Sequence, residues 1–267
     1  MLAPTATLTI AQDEEELARM GAKYFSHAAR AAIERNSRFT VVLSGGNTPR
    51  RLFTRLATAP FESSFSWDHV HFFWGDERNV APDSSDSNFH MAWETMLAPL
   101  SIRAANIHRF RTELKSPNQV ADDYEKMLRS FFGIRKRSQR PRFDLVLLGL
   151  GIDGHTASLF PDGRPGISIN SDLPDRLAIA TWVAHLNEFR FSLTPAALNQ
   201  TDQVLFLVSG REKATILEKV IGPGSDGSPF EATYPAQIIR PVKGRVVWLA
   251  DQDAAKFVTK VNGQRAS

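Results

Sequence analysis

Phe39-Thr40-Val41-Val42-Leu43-Ser44-Gly45-Gly46-Asn47-Thr48-Pro49 is the stretch on which the fold turns. Its first five residues form a β-prone run. That run stops at a Gly-Gly pair followed by Thr-Pro, which is the chemistry of a turn and a helix start. Residues 50–57 then suit a helix, so the stretch predicts strand, glycine loop, helix. Just upstream, Leu17, Met20, Tyr24, Phe25 and Ala28 recur mostly at three- and four-residue intervals and predict a helix over 13–36 with one face to bury.

The same unit repeats downstream. Residues 70–74 form a strand, 75–88 a polar loop and 89–97 a helix. Val120, Tyr124, Met127, Leu128 and Phe131 mark another helix. After it, 143–150 is a nearly continuous apolar run of buried-strand length, broken by Gly149, Gly151 and Gly154. Strand 204–208, helix 212–220, strand 246–249 and a helix-like 251–258 complete the series. Alternation of this kind predicts an α/β, Rossmann-like fold. Its sheet is mostly parallel with helices on both faces, and the chain leaves room for a small appended lobe. Residues 1–267 read as a single α/β domain. The segments 162–174 and 222–229 are the flexible candidates.

Composition excludes several classes of protein. Hydrophobic residues at 42% against 23% charged fit a globular chain rather than a disordered or fibrous one. Cysteine is absent, which removes disulfides, thiolate metal sites and a thiol nucleophile. No apolar stretch approaches membrane length and the first ten residues lack a signal-peptide pattern, so a cytoplasmic protein without a membrane partner is expected. The net charge is only +3. The densest basic run is Arg135, Lys136, Arg137, Arg140 and Arg142, with no aromatic residue interleaved; it reads as a solvated connecting loop, and no nucleic-acid partner is expected.

In an open parallel sheet, ligands bind beyond the carboxyl ends of the strands. Four loops there carry chemistry. In Ser44, Gly45, Gly46, Asn47 and Thr48, main-chain N–H groups can approach an anion and the next helix adds positive potential, as in a phosphate cradle. The loop is neither a Walker A sequence nor the Gly-x-Gly-x-x-Gly dinucleotide fingerprint, which argues against a dinucleotide-dependent oxidoreductase. Gly75-Asp76-Glu77-Arg78 sets two carboxylates and a guanidinium after a strand, suited to hydroxyl groups of a sugar. Gly149-Leu150-Gly151-Ile152-Asp153-Gly154-His155 ends a buried strand with a histidine that can exchange protons near neutral pH. His185 lies in a loop within reach of it. Arg190 and the turn Ser209-Gly210-Arg211-Glu212-Lys213 can close over a phosphate from the other side.

Taken together, Leu43 to Pro49, Trp74-Gly75-Asp76-Glu77-Arg78, Gly149 to Pro161 and Ser192-Leu193-Thr194-Pro195 resemble the 6-phosphogluconolactonase family over nearly the whole chain. The order of motifs also looks like that of glucosamine-6-phosphate deaminases and isomerases, which share the superfamily. Deaminases typically carry an aromatic residue at the position of Arg78 and an Ile-Ala-Phe-Asn-Glu-Pro segment after Asp-Gly-His. Arg78 and residues 156–161 follow the lactonase form instead.

The resemblance implies hydrolysis of a sugar-phosphate lactone with no metal or cofactor. His155 is then the general base, and Asp76 and Arg78 bind or polarise the lactone end. Ser44, Gly45, Gly46, Asn47, Thr48, Arg190 and Lys213 fall to the substrate and its phosphate. Asp153 and Asp76 both remain candidates to orient the imidazole. A deaminase or isomerase and a noncatalytic sugar-phosphate sensor are the alternative readings. Oligomeric state does not follow from the sequence.

Overall fold

The computed structural model describes residues 6–161, 175–221 and 232–258, with the backbone of 260–261 and 264–265. Both expected flexible segments, 162–174 and 222–229, lie outside the described residues. The chain opens with strand β1 (Ala6–Ala11) and helix α1 (Glu14–Asn36). The Asp13 side chain caps α1 by accepting the Glu16 N–H, and Glu14, Glu15 and Glu16 put negative charge at its positive end. The helix stops at Ser37, which turns left-handed at φ 57°. Leu17, Ala18, Ala22, Phe25, Ala29 and Ala32 are buried on one face, as the spacing requires.

Strand β2 (Phe39–Leu43) runs into helix α2 (Asn47–Leu56), and strand β3 (Val70–Trp74) follows. One residue later the chain enters β4 (Asp76–Arg78). The segment 89–97 is helical as expected, in two parts: α3 (Asn88–Ala92) and a wider π turn over Trp93–Leu97. Next come β5 (Ile107–His108), α4 (Pro117–Phe131), β6 (Leu145–Leu148), β7 (Ala178–Val183) and β8 (Glu188–Leu193). The series closes with α5 (Pro195–Leu198), β9 (Gln203–Val208), α6 (Ala214–Ile221) and β10 (Arg245–Asp251).

Seven strands form one sheet in the order β1-β10-β9-β6-β2-β3-β5, and every pair in it is parallel. All of β2 and all of β6 are buried, which is why β6 reads as an unbroken apolar run and β2 as one interrupted only by Thr40, whose hydroxyl bonds Asp144. Removing one of their larger side chains, as in Leu43→Ala, costs about 2–5 kcal/mol. Helices flank the sheet in the α/β, Rossmann-like manner expected. A second, antiparallel sheet of order β4-β8-β7 is the counterpart of the small appended lobe. It joins the first where the Leu193 N–H donates to the Gly75 carbonyl at 2.7 Å.

Three expectations change. The loop 75–88 begins with strand β4, because its polar residues pair with β8 rather than facing solvent. The β7–β8 hairpin escaped the pattern, since its exposed edge breaks apolar alternation. Residues 251–258 are successive turns rather than a helix. The Asp251 carboxylate takes the N–H of Gly210 and of Ala254, which ends the strand and fixes the turns. Among the described residues no helix is long and apolar enough to cross a membrane.

Candidate active site

The chain leaves β2 towards β3 and β5 on one side, then returns to lay β6 on the other side of β2. The two connections following β2 and β6 therefore diverge and open a crevice at the carboxyl rim of the sheet. Ser44 to Thr48 follow β2 on one side of it and Gly149 to His155 follow β6 on the other. The β3 loop, with Asp76 and Arg78, lies one strand farther out; the β9 loop, with Lys213, lies one strand beyond β6.

The glycine loop is shaped by what it touches. A Cβ on Gly45 would stand 1.8 Å from Oδ1 of Asn88, so any side chain there must displace the Asn88 amide. Gly46 begins α2 with no side-chain cap, leaving the first N–H groups of the helix for a ligand. The Ser44 hydroxyl is buried without a hydrogen-bond partner among the described residues. An anion in the crevice would satisfy these donors together.

Asn88 connects this loop to the carboxylate behind it. Its Nδ2 donates to the main-chain oxygen of Asp76 at 3.0 Å and to Oδ1 of the same residue at 3.3 Å. The other carboxylate oxygen of Asp76 accepts from the Ser158 hydroxyl at 2.9 Å. Burial pushes the Asp76 carboxyl above the ordinary carboxylate range; Arg78, the Ser158 hydroxyl, His155 and Arg190 pull it back. Arg78 and Arg190 face each other across the β4–β8 pair. Arg78 donates to the Asp86 carbonyl at 2.6 Å, and Arg190 pairs with Glu188 at 2.6 Å.

Glu77 does not join them. Its carboxylate accepts the N–H groups of Arg78, Asn88 and Phe89 and the Ser87 hydroxyl, so it organises the loop that presents Asn88. The two neighbouring acids of the motif divide into one facing the crevice and one holding its scaffold.

His155 is half-buried and is oriented by Asp153, whose Oδ1 lies 2.6 Å from Nδ1. Burial opposes the charge on Asp153, but the hydrogen bonds from His155 prevail and hold its carboxyl at about 2. Of the two acids considered from sequence, Asp153 is therefore the one bonded to the ring. The loop closes tightly around the pair: the Gly151 N–H donates to the His155 carbonyl at 2.8 Å, and a Cβ on Gly151 would meet Nδ1 at 2.1 Å. Phe160 lies between His155 and His185, with ring centroids 4.6 and 5.5 Å away, so His185 does come to this end of the molecule.

Lys213 ends a short turn, Arg211–Lys213, after β9. Its main-chain N–H donates to the Gly210 carbonyl at 3.0 Å, and among the described residues no side-chain hydrogen bond or ion pair ties its ammonium to the Asp76 cluster. The turn itself is fixed by Asp251, which accepts the Gly210 N–H at 3.0 Å and the Ser209 hydroxyl. Sequence reasoning missed Asn88, Ser158 and Asp251. Only Asn88 had a local signal: Ser87 caps the helix that follows, as a Ser before an apolar periodic run suggests. Among the described residues no group of three or more His, Asp or Glu is placed to hold a metal ion.

Residues 12–248 match the family model described as glucosamine-6-phosphate isomerases/6-phosphogluconolactonase. A 6-phosphogluconolactonase of Synechocystis sp. is 40% identical over 225 residues, which span 84% of this chain and 87% of the relative. One of Nostoc sp. is 37% identical, over 84% of this chain and 86% of the relative. The solved structure of 6-phosphogluconolactonase from Trypanosoma cruzi superposes with a TM-score of 0.82 at 26% identity, covering 97% of this chain and 99% of that one.

Proposed function

Because the chain belongs to the glucosamine-6-phosphate isomerase/6-phosphogluconolactonase family, we propose that it opens 6-phospho-D-glucono-1,5-lactone with water to give 6-phospho-D-gluconate. This is the lactone-hydrolysing step of the oxidative pentose phosphate pathway, carried out in the cytoplasm by a single α/β domain. One observation supports the reading above the others: the Asn88 amide that packs against Gly45 also bonds the Asp76 carboxylate, whose other oxygen accepts from Ser158, three residues beyond His155.

The lactone is an ester, so water must add to C1 and the bond from C1 to the ring oxygen must break. With Nδ1 donating to Asp153, Nε2 of His155 carries the lone pair that takes the proton from water. The imidazolium then returns that proton to the departing ring oxygen, which becomes a hydroxyl. The new carboxylic acid ionises to solvent. Arg78 and Asp76 bind the lactone end, where the guanidinium meets the negative charge that develops on the carbonyl oxygen.

The phosphate sits on the hydroxyl of Ser44 and the N–H groups of Gly45, Gly46, Asn47 and Thr48, with Arg190 and Lys213 closing from the opposite side. Holding the far end of the substrate brings C1 to the imidazole, so part of the rate comes from positioning. The test is to supply freshly generated lactone, correct for its spontaneous hydrolysis, and measure 6-phosphogluconate. Acceleration is expected, together with no ammonia release from glucosamine 6-phosphate; ammonia release without lactone hydrolysis would make the chain a deaminase.

A further inference from the structure

The opposite rim of the large sheet holds a cavity of about 720 Å³ lined by Arg35, Arg38, Arg142, Phe132, Asp144 and Asp202 among others. It lies where β2, β6 and β9 begin, whereas the crevice lies where they end. Five residues of β2 separate the two rims by about 15 Å.

Its charges are arranged unevenly. Asp144 accepts the N–H and hydroxyl of Thr40 at 2.8 and 2.7 Å and pairs with Arg35 at 3.0 Å. Asp202 pairs with Arg35 at 2.9 Å, accepts from Arg142 Nε at 2.8 Å and lies 2.6 Å from a second nitrogen of the same guanidinium. Both carboxylates are thereby occupied, and they act as brackets that fix two guanidiniums. Arg38 is different. It lies over the Phe131 ring, 5.1 Å from its centroid, and pairs with no carboxylate among the described residues. Three guanidiniums against two carboxylates leave a positive charge, with N–H donors spare, beside a space of ligand size.

The basic run singled out in the sequence is the exposed connection that reading expected, with Arg135, Lys136, Arg137 and Arg142 open to solvent, and it ends at this rim. Arg140 donates to the carbonyls of Arg137 and Gln139 and pairs with Asp175, which folds the segment back; Arg142 forms part of the cavity wall.

We propose that this cavity is a second anion site that binds the phosphate group of a small phosphorylated metabolite, on Arg38 with the outward donors of Arg35 and Arg142. It is separate from the crevice and does not depend on the reaction assigned there. A dianion suits it better than a monocarboxylate, because it can neutralise Arg38 and still share the donors that the aspartates leave free.

The probe is inorganic pyrophosphate, titrated at constant ionic strength and followed by NMR at the Arg38 Nε–H and the Thr40 amide, which report this rim alone. Saturable shifts are expected in the millimolar range or below. Arg38→Gln, which breaks no ion pair among the described residues, should weaken binding about tenfold, the effect of one charge-assisted hydrogen bond, with lactone turnover unchanged. Equal affinity in Arg38→Gln, or no saturable shift in the wild-type protein, would overturn the proposal.

Discussion

Asn88 occupies the space that any side chain on Gly45 would need, and the same amide holds Asp76 through both its main-chain oxygen and its carboxylate. The phosphate-cradle loop and the buried acid are thus mechanically joined. A change on one side must displace the other.

Gly45→Ala is therefore expected to damage catalysis rather than folding alone. The new methyl meets Oδ1 of Asn88 far inside contact distance, and relief costs about 1–3 kcal/mol or moves the amide off Asp76. Steady-state kinetics should show kcat/KM down by at least about tenfold, with part of the loss recovered in Gly45→Ala/Asn88→Ala. A single variant within twofold of the wild type would contradict the coupling.

Asn88→Asp is expected to be worse than Asn88→Ala. The alanine removes donors from Asp76, whereas the aspartate sets a second negative charge against a carboxyl that burial already pushes upward. Comparing kcat for the two variants, each checked for folding by circular dichroism, decides this.

Asp153→Asn should lower kcat by about 10²–10⁴ while leaving KM nearly unchanged, because an amide no longer selects the tautomer with the proton on Nδ1. The Asp153 carboxyl is held at about 2, so it stays ionised throughout the usual assay range. Any loss of activity on acidification between pH 7 and 4 consequently belongs to another group. That part of the pH–rate profile should keep its shape in a partly active Asp153→Glu.

How much of this was legible in the sequence follows from where each signal lives. Strands β2, β3 and β6 showed themselves because burial on both faces demands mostly apolar residues, with only Thr40 in β2 and the half-buried His71 in β3 as exceptions. The loops after them stood out because glycine, Asp and His cluster where strands end. The hairpin of β7 and β8 was hidden by its half-exposed pairing, and with it the register that sets Arg190 opposite Arg78. Asn88, Ser158 and Asp251 act across 12, 82 and 41 residues of chain, and no local pattern encodes partners at such separations. Glu77 misled for the opposite reason. Adjacent acids look alike in sequence, but successive residues of a strand point to opposite faces.

Stability should depend on pH through an imidazole pair far from the crevice. His71 Nδ1 and His108 Nε2 lie 3.2 Å apart, and burial, followed by the charge of His71, lowers His108 to about 4 from its ordinary 6.5. In the unfolded chain His108 gains its proton near 6.5, while the folded protein takes it only near 4. The contribution of His108 is therefore full above 6.5 and is lost as pH falls from 6.5 to about 4. Thermal unfolding should show Tm falling over that window, and His108→Phe should flatten the slope. An unaltered slope would place the effect elsewhere.

The proposed division of labour at the crevice is tested most directly by the steady-state kinetics of His155→Ala beside Lys213→Ala on freshly generated 6-phosphoglucono-δ-lactone. Loss of the base should lower kcat by about 10²–10⁴ with KM little changed, whereas loss of the ammonium should raise KM and spare kcat. Undiminished turnover in His155→Ala would contradict the account.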